Sequence, residues 1–517
     1  MIQFSRKGAY MKIAIMDTTL RDGEQTSGVS FNDAEKLNIA KLLLEELKID
    51  RIEIASARVS QGEFQAVKKI SEWATKTNFI DKIEVLGFVD GKVSIDWIDQ
   101  AGCRVINLLT KGSLKHLEGQ LKKTPDQHVK DIKKSISYAH SKNINVNIYL
   151  EDWSNGMKNS PEYVFYLLDS LKDEKIMNFM LPDTLGILNP DQTYDFCKQI
   201  LTKYPKLNFD FHAHNDYDLA VANTLAAVKA GITGIHTTVN GLGERTGNAC
   251  VSSMIACLND HVKCEINIDE SKITKVSKLV ETFSGIRIPE NKPIIGENVF
   301  TQTSGVHADG DNKNNLYQSD LLPERFGRVR SYALGKTSGK ANILNNLKEM
   351  DIELDAESMK KVTDRIIELG DKKENVTKED LPYIIADVLR SEKINNKIEL
   401  VNYAFTVAKG LKPVAVISIK IEDKVYEETS SGDGQYDAFA KALRNIYKQF
   451  NRKLPMLIDY SVTIPPGGRT DALVETVITW RTKDKKEREF KTRGLDSDQT
   501  VAAIKATTKM LNIIENF

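Results

Sequence analysis

The chain has 517 residues, 41% of them hydrophobic, with 72 Lys and Arg against 72 Asp and Glu; at roughly 100–200 residues per domain, about two to four domains are expected. Zero net charge gives nucleic acid or an anionic membrane no bulk attraction, so neither is expected as a partner. No run approaches the roughly 18 apolar residues of a membrane span, and the opening MIQFSRKGAY lacks the apolar core of a signal peptide, so a cytoplasmic protein is expected.

Eight short β-branched runs mark the first half: KIAIMD from Lys12, RIEIAS from Arg51, IEVLGF from Ile83, RVINLL from Arg104, INVNIYLE from Ile144, IMNFML from Ile176, LNFDFH from Leu207 and GIHTTV from Gly234. Amphipathic stretches separate them. NDAEKLNIAKLLLEEL predicts a helix with Asn32 as its N-cap and Glu35 three residues on, the pattern of a capping box. Eight strand and helix units within about 250 residues match a (β/α)8 TIM barrel, whereas a doubly wound sheet would use about five to seven strands. The catalytic barrel is assigned to 11–287. Five cysteines, an odd number without CxxC spacing, argue against a disulfide framework or a zinc ribbon. Cys250, Cys257 and Cys264 recur every seven residues, which predicts one helix carrying them in line as packing residues.

From 288 to 397 the sequence is irregular, then helical and charged, and reads as linking subdomains with little core of their own. From 398 to 517 strands twice precede a helix: NYAFTV, VAVISIKI and KVYEETSS before YDAFAKALRNIYKQF, then IDYSVTI, DALVETVITW and REFKTRG before TVAAIKATTKML. Two βββα repeats predict a C-terminal α+β regulatory domain that completes its core by pairing the repeats and a second chain, hence a homodimer. Tyr436 and Asp437 after a glycine loop, and PPGG from Pro465, are candidate grips for a small amino acid.

Chemistry in such a barrel gathers at the C-terminal ends of the strands. Those ends carry Arg21 and Asp22 after the first, Glu151 at the fifth, Asp183 and Thr184 at the sixth, and His212 and His214 at the seventh. The two histidines are two apart, so on extended backbone both leave the same face, toward the barrel axis. With Asp22 from another strand they form a two-His, one-carboxylate set that can hold a divalent cation, Mn, Zn, Mg or Co, and leave positions open for substrate. A lone HxH fits buried, satisfied histidines as well; that two of only eight histidines fall at one strand end favours the metal. The Arg21 fork beside that set suits an anionic, oxygen-rich substrate, although RDGE also fits a solvated turn. A carboxylate at Glu151 is suited to proton abstraction. The loop GLGERTGNA runs GxGxxxG after the eighth strand, the wrong spacing and place for a dinucleotide fingerprint. It predicts a tight turn over the barrel mouth with Asn248 as a further oxygen ligand or the partner of one.

The motifs DTTLRDGEQT, HAHND, NGLGERTGNA and TQTSGVHADG, with GDGQYDAF and IPPGGRTDALVE near the C-terminus, resemble the acyltransferases of the isopropylmalate, citramalate and homocitrate synthase family along the whole chain. The resemblance implies condensation of acetyl-CoA with a 2-oxo acid held by a metal. A base takes a proton from the thioester methyl, the carbanion adds, and the thioester is hydrolysed. It implies Asp22, His212 and His214 as metal ligands with Asn248 close by, Arg21 and Thr184 as contacts to the oxo acid, and Glu151 as the base. His307 and Tyr317 match residues that reach the active site from the partner subunit's linking region, and so join Glu151 and Arg21 as catalytic candidates. Leu86, Leu109 and Tyr149, bulky at strand ends, resemble the citramalate synthase pocket and leave room for a methyl group. That favours pyruvate and (R)-citramalate, with 2-oxoisovalerate and 2-isopropylmalate as the alternative. The end product expected to inhibit is isoleucine in the first case and leucine in the second. Lyases of the same barrel place a cysteine in the glycine loop, whereas Cys250 lies beyond it here. A non-catalytic ligand sensor would not need the intact set of Arg21, Asp22, Glu151, His212 and His214.

Overall fold

The computed structural model describes residues 11–262, 264–350, 352–371, 376–389, 397–421, 424–463, 474–482 and 489–516. The MIQFSRKGAY opening and the PPGG segment from Pro465 lie outside the described residues.

Eight strands close into a parallel barrel in sequence order: β1 (Ala14–Asp17), β2 (Arg51–Ser56), β3 (Ile83–Phe88), β4 (Val105–Lys111), β5 (Asn145–Glu151), β6 (Phe179–Asp183), β7 (Phe209–Ala213) and β8 (Gly234–Thr237). β1 against β8 completes the ring, with Asp17 level with Thr237. Alternation along each strand sorts the side chains. Ile52 and Ile54, Ile106 and Leu108, and Ile148 and Leu150 join the apolar core that the helices cover. Each such buried aliphatic side chain contributes about 1.5–3 kcal/mol. The helix Asp33–Lys41 opens with the expected capping box, the Asn32 side chain accepting from Glu35 N while Glu35 accepts from Asn32 N.

The inward positions are unusual for this fold, whose interior is ordinarily filled by branched aliphatics. Glu53, Glu84, Asn107, Asn147, Asp210 and His236 are all buried there, together with a small apolar cluster of Met16, Leu86, Tyr149 and Met180 with Leu109 against it.

β6 differs from its expected run at Ile176–Leu181. Met177 only leads in, its N–H reaching Val146 O, and pairing continues through Pro182 and Asp183 against His212 and Ala213. The cysteine spacing also resolves differently. Cys250 is the N-cap of the helix Val251–Cys257, the next turn (Leu258–Val262) is wider, and Cys264 lies beyond it. Three residues at seven-residue intervals therefore do not share one helical face, and all five cysteines are free.

The chain divides into two compact units. One runs to Phe300 and takes up Gln318–Arg330; the other holds Thr301–Tyr317 and the chain from Ser331 onward. In the second unit, helices Lys340–Glu349, Ala356–Asp371 and Leu381–Leu389 enclose a core of Ile343, Leu347, Met359, Val362, Ile366 and Leu381. The linking region thus has a core of its own, contrary to expectation, because apolar residues recur at helical spacing between its charges. Two antiparallel sheets follow. β11 (Ile398–Thr406), β12 (Val414–Ile421) and β13 (Lys424–Ser431) precede the helix Gln435–Gln449, and β14 (Met456–Thr463), β15 (Val474–Arg481) and β16 (Glu489–Asp496) precede Gln499–Asn516. The two-residue strands β9 (Thr301–Gln302) and β10 (Ser331–Tyr332) pair in parallel. Among the described residues no helix is long and apolar enough to cross a membrane.

Candidate active site

The loop after β1 delivers Arg21 and Asp22. Its turn is closed by the N–H groups of Arg21, Asp22 and Gly23, all donating to Thr18 O. Its far end is pinned from below: buried Lys36 pairs with Glu24 at 2.6 Å and with Glu63, and donates to Leu20 O at 3.2 Å.

Across the barrel, β7 ends in His212 and His214. Their Nε2 atoms lie 3.3 and 3.8 Å from the same oxygen, Asp22 Oδ2. The three residues form a buried cluster of ligand atoms within 4.8 Å of one another, from two strand ends. Burial lowers both histidines, His214 to about 4, so the rings are neutral and each has a lone pair to give. Burial pushes Asp22 the other way, yet Arg21 and the two histidines hold it well below the usual carboxylate range.

Asp22 Oδ1, His212 Nδ1, His214 Nδ1 and Asn248 Oδ1 are buried with no hydrogen-bond partner among the described residues. Buried polar atoms without partners are costly, and the Asp22, His212 and His214 cluster is a donor set that a divalent cation fits. The charge balance agrees. Two guanidinium groups, Arg21 and Arg51, share a connected buried network with four carboxylates, Asp22, Glu53, Glu84 and Asp210.

Asn248 is seated by the loop after β8. Its Nδ2 donates to Leu242 O at 3.1 Å, and its backbone bridges to His214. A Cβ at Gly243, where φ is 151°, would overlap the Asn248 amide, so only glycine leaves that room. Arg245 fastens the loops of three strands, reaching Asp216 at 2.8 and 2.9 Å and Thr184 O at 2.8 Å. Thr184 itself accepts from Asp152 N at 2.9 Å. Asp183 is taken up bracing its own loop, accepting from the N–H groups of Ile187 and Leu188.

Arg21 donates from Nε to Glu53 at 2.6 Å, from one terminal nitrogen to Asp22 at 3.1 Å, and from the other to Tyr149 Oη at 3.3 Å. Three of the five guanidinium donors are so engaged, which fixes the fork and leaves two for a ligand. Leu86, Leu109 and Tyr149 meet in the apolar ring beside it. At the mouth, Glu151 pairs with Lys111, level with it on β4. The two strands run unusually close there: Gly112 N donates to Glu151 O at 2.6 Å, a Cβ on Gly112 would overlap the Leu150 carbonyl, and one on Gly156 would overlap the Gly112 carbonyl. Asp152, in the left-handed region at φ 64°, turns the chain away after Glu151 and accepts from Ser113 Oγ at 2.7 Å.

The remaining candidates belong to the second unit. His307 and Tyr317 are exposed and lie ring to ring, centroids 4.2 Å apart. Tyr436 donates to or accepts from Thr507 Oγ1 at 2.7 Å and borders a cavity of about 470 Å³ with Leu443, Arg444, Tyr447 and Trp480. Asp437 pairs with Lys441 at 2.6 Å and accepts from Asp433 N, capping its helix from within.

Lys111, Glu53, Asp210 and His236 were not among the expected site residues. RIEIAS, LNFDFH and GIHTTV each place a polar residue, Glu53, Asp210 and His236, within an otherwise apolar strand run, but nothing local says what it pairs with, and Lys111 carries no such signal.

Three family models match in tandem: HMGL-like over residues 12–280, the homocitrate synthase post-HMGL domain-like over 294–374, and the LeuA allosteric (dimerisation) domain over 375–515. The (R)-citramalate synthase CimA of Methanocaldococcus jannaschii is 32% identical over 98% of this chain and 100% of its own length. The 2-isopropylmalate synthase of the same organism is 33% identical over 97% and 95%.

Proposed function

The chain belongs to the HMGL-like family, in the branch that carries a LeuA allosteric domain, and is an acyltransferase that condenses acetyl-CoA with a 2-oxo acid; we propose that the acid is pyruvate and the product (R)-citramalate. The observation that supports the choice is the apolar cluster of Met16, Leu86, Tyr149 and Met180 with Leu109, joined to the Arg21 fork through Tyr149, since bulky side chains there favour an oxo acid with a small side chain. The two synthases of one organism match at 33% and 32% identity, so the choice rests on the residues around the oxo-acid side chain.

Asp22, His212 and His214 would hold a divalent cation, with Asn248 beside them, and the chemistry a cation supplies there is polarisation of the oxo-acid carbonyl. The two spare N–H groups of Arg21 take the substrate carboxylate and orient its carbonyl. Glu151 removes a proton from the thioester methyl, for which its pair with Lys111 must open. The carbanion forms the new carbon–carbon bond at the keto carbon, the carbonyl π pair moves onto oxygen, which takes up a proton to become the hydroxyl, and water then cleaves the thioester, releasing the thiol of CoA and leaving citramalate as a dicarboxylate. Thr184 contacts the oxo acid, and His307 and Tyr317 complete the site from a partner chain.

We take the barrel as 11–287, the linking subdomains as 288–397 and the regulatory domain as 398–517. The working form is then a homodimer inhibited by isoleucine, bound near Tyr436 and Asp437. Thiol release from acetyl-CoA, measured in parallel with pyruvate, 2-oxobutyrate, 2-oxoisovalerate and 2-oxoglutarate, tests the substrate. Preference for pyruvate is expected; preference for 2-oxoisovalerate replaces the reading with 2-isopropylmalate synthesis.

A further inference from the structure

Tyr149 can limit the pocket only while its ring is held still. The side chain is 3% exposed, and its hydroxyl is the polar end of an otherwise apolar ring. That hydroxyl has two partners: the Arg21 terminal nitrogen at 3.3 Å and His236 Nδ1 at 3.0 Å. His236, on β8 and 1% exposed, has its Nε2 3.3 Å from Asp210 Oδ2. The same oxygen accepts from Arg51 at 2.6 Å.

A guanidinium only donates, so Tyr149 Oη accepts from Arg21 and its single proton must go elsewhere. The acceptor in reach is His236 Nδ1. The imidazole proton then lies on Nε2, where Asp210 accepts it. One proton assignment satisfies every bond from Arg51 through to Arg21. The other tautomer would leave the Tyr149 proton without an acceptor and set a ring lone pair against a carboxylate. Both nitrogens of His236 are thereby occupied, so it is not available as a metal ligand although its ring lies 5.5 Å from that of His212.

We propose that His236 is a specificity-determining positioning residue: by accepting the Tyr149 hydroxyl proton it fixes that ring in the oxo-acid pocket and so sets the side-chain length the pocket admits. The proposal rests on the pocket reading given above. His236 touches no substrate; it acts through Tyr149.

The test measures kcat/KM for pyruvate and 2-oxobutyrate in wild type, His236→Leu, His236→Gln, Tyr149→Phe and the Leu/Phe double variant, with Tm for each. His236→Leu should lower the pyruvate to 2-oxobutyrate ratio about tenfold, the scale at which one methylene is discriminated. Gln, whose amide oxygen can accept the hydroxyl proton, should restore the ratio to within about threefold of wild type. Tyr149→Phe should lower the ratio as His236→Leu does, and the second substitution should then add nothing. A merely structural role would reduce Tm and both specificity constants alike, leaving the ratio unchanged. Should His236→Leu fail to fold, Tyr149→Phe tests the same bond from its other end. The substrate reading fails separately, in wild type alone, if 2-oxoisovalerate is preferred. An unchanged ratio in His236→Leu or Tyr149→Phe, or additive effects in the double variant, overturns the proposal.

Discussion

Arg21 is already held by Glu53, Asp22 and Tyr149 before any ligand arrives, so its fork is pre-oriented rather than recruited. Arg21→Lys keeps one charge but loses that geometry. Steady-state kinetics should show KM for the oxo acid rising about 10- to 100-fold, the loss of a charged hydrogen bond worth roughly 1.5–3 kcal/mol; an unchanged KM would move the carboxylate site elsewhere. His212→Ala removes one of three clustered ligand residues. Divalent metal retained after dialysis should fall, and chelation should abolish turnover of the wild type; full activity in a metal-free preparation of the variant would sink the site. Asp17 is a buried acid outside this cluster, which burial pushes up to about 7. Its folded value lies above its unfolded one, so the folded state holds the extra proton between them. The contribution of this group to stability is therefore fully present below about pH 4 and is lost as pH rises toward 7, by about 4 kcal/mol at 1.36 per unit. Denaturation midpoints at pH 5 and pH 8 should differ less in Asp17→Asn than in wild type.

The first helix matters to the site through one residue. Lys36 is fully buried and holds Glu24 in the loop that carries Arg21 and Asp22, with Glu63 as its second partner. Lys36→Met leaves two carboxylates facing each other without a cation, and urea denaturation should show a loss of about 3–5 kcal/mol. A loss below about 1 kcal/mol would mean that the pair does not stabilise the loop. How far elements like this were legible depends on which side of the strand wall they face. The outer faces announce themselves, because Ile52, Ile106 and Ile148 recur with the period of a strand and the caps at Asn32 and Glu35 close a helix by local chemistry alone. The strand-end acids and histidines were also legible, since fold and spacing aim them at one point. What lay beneath was not: Glu53, Asn107, Asn147, Asp210 and His236 satisfy one another across strands far apart in the chain, and no local rule pairs them. Lys111 is a plain lysine until β5 brings Glu151 level with it.

At the scale of the whole molecule the two C-terminal repeats, which match the LeuA allosteric (dimerisation) domain, stand out for their open faces. Each sheet is covered by a helix on one face, where Ala415, Ile417 and Ile419 are buried, while Val401, Val416 and Val425 on the first sheet and Met456, Leu457 and Ile458 on the second stay exposed. Open apolar faces of that kind mark an association surface. Sedimentation of the intact protein should give a dimer. A chain ending at Lys397 should lose amino acid inhibition, since an inhibitor acts only by its different affinity for two states of the domain it binds. Inhibition of the intact enzyme by isoleucine and leucine, side by side, decides the end product: isoleucine alone agrees with citramalate, and leucine alone overturns it.

The close crossing of the chain at Gly112 and Gly156 has a consequence for anyone surveying this protein by exhaustive mutagenesis. Neither glycine has a functional group, yet any side chain there would drive one backbone into another beside Glu151. In a scored library both positions should therefore be as intolerant as Arg21 itself, even to alanine. Intolerance alone would file two silent spacers among the reacting groups; separating them takes the folded yield of each variant, which collapses for the spacers and survives for the chemistry.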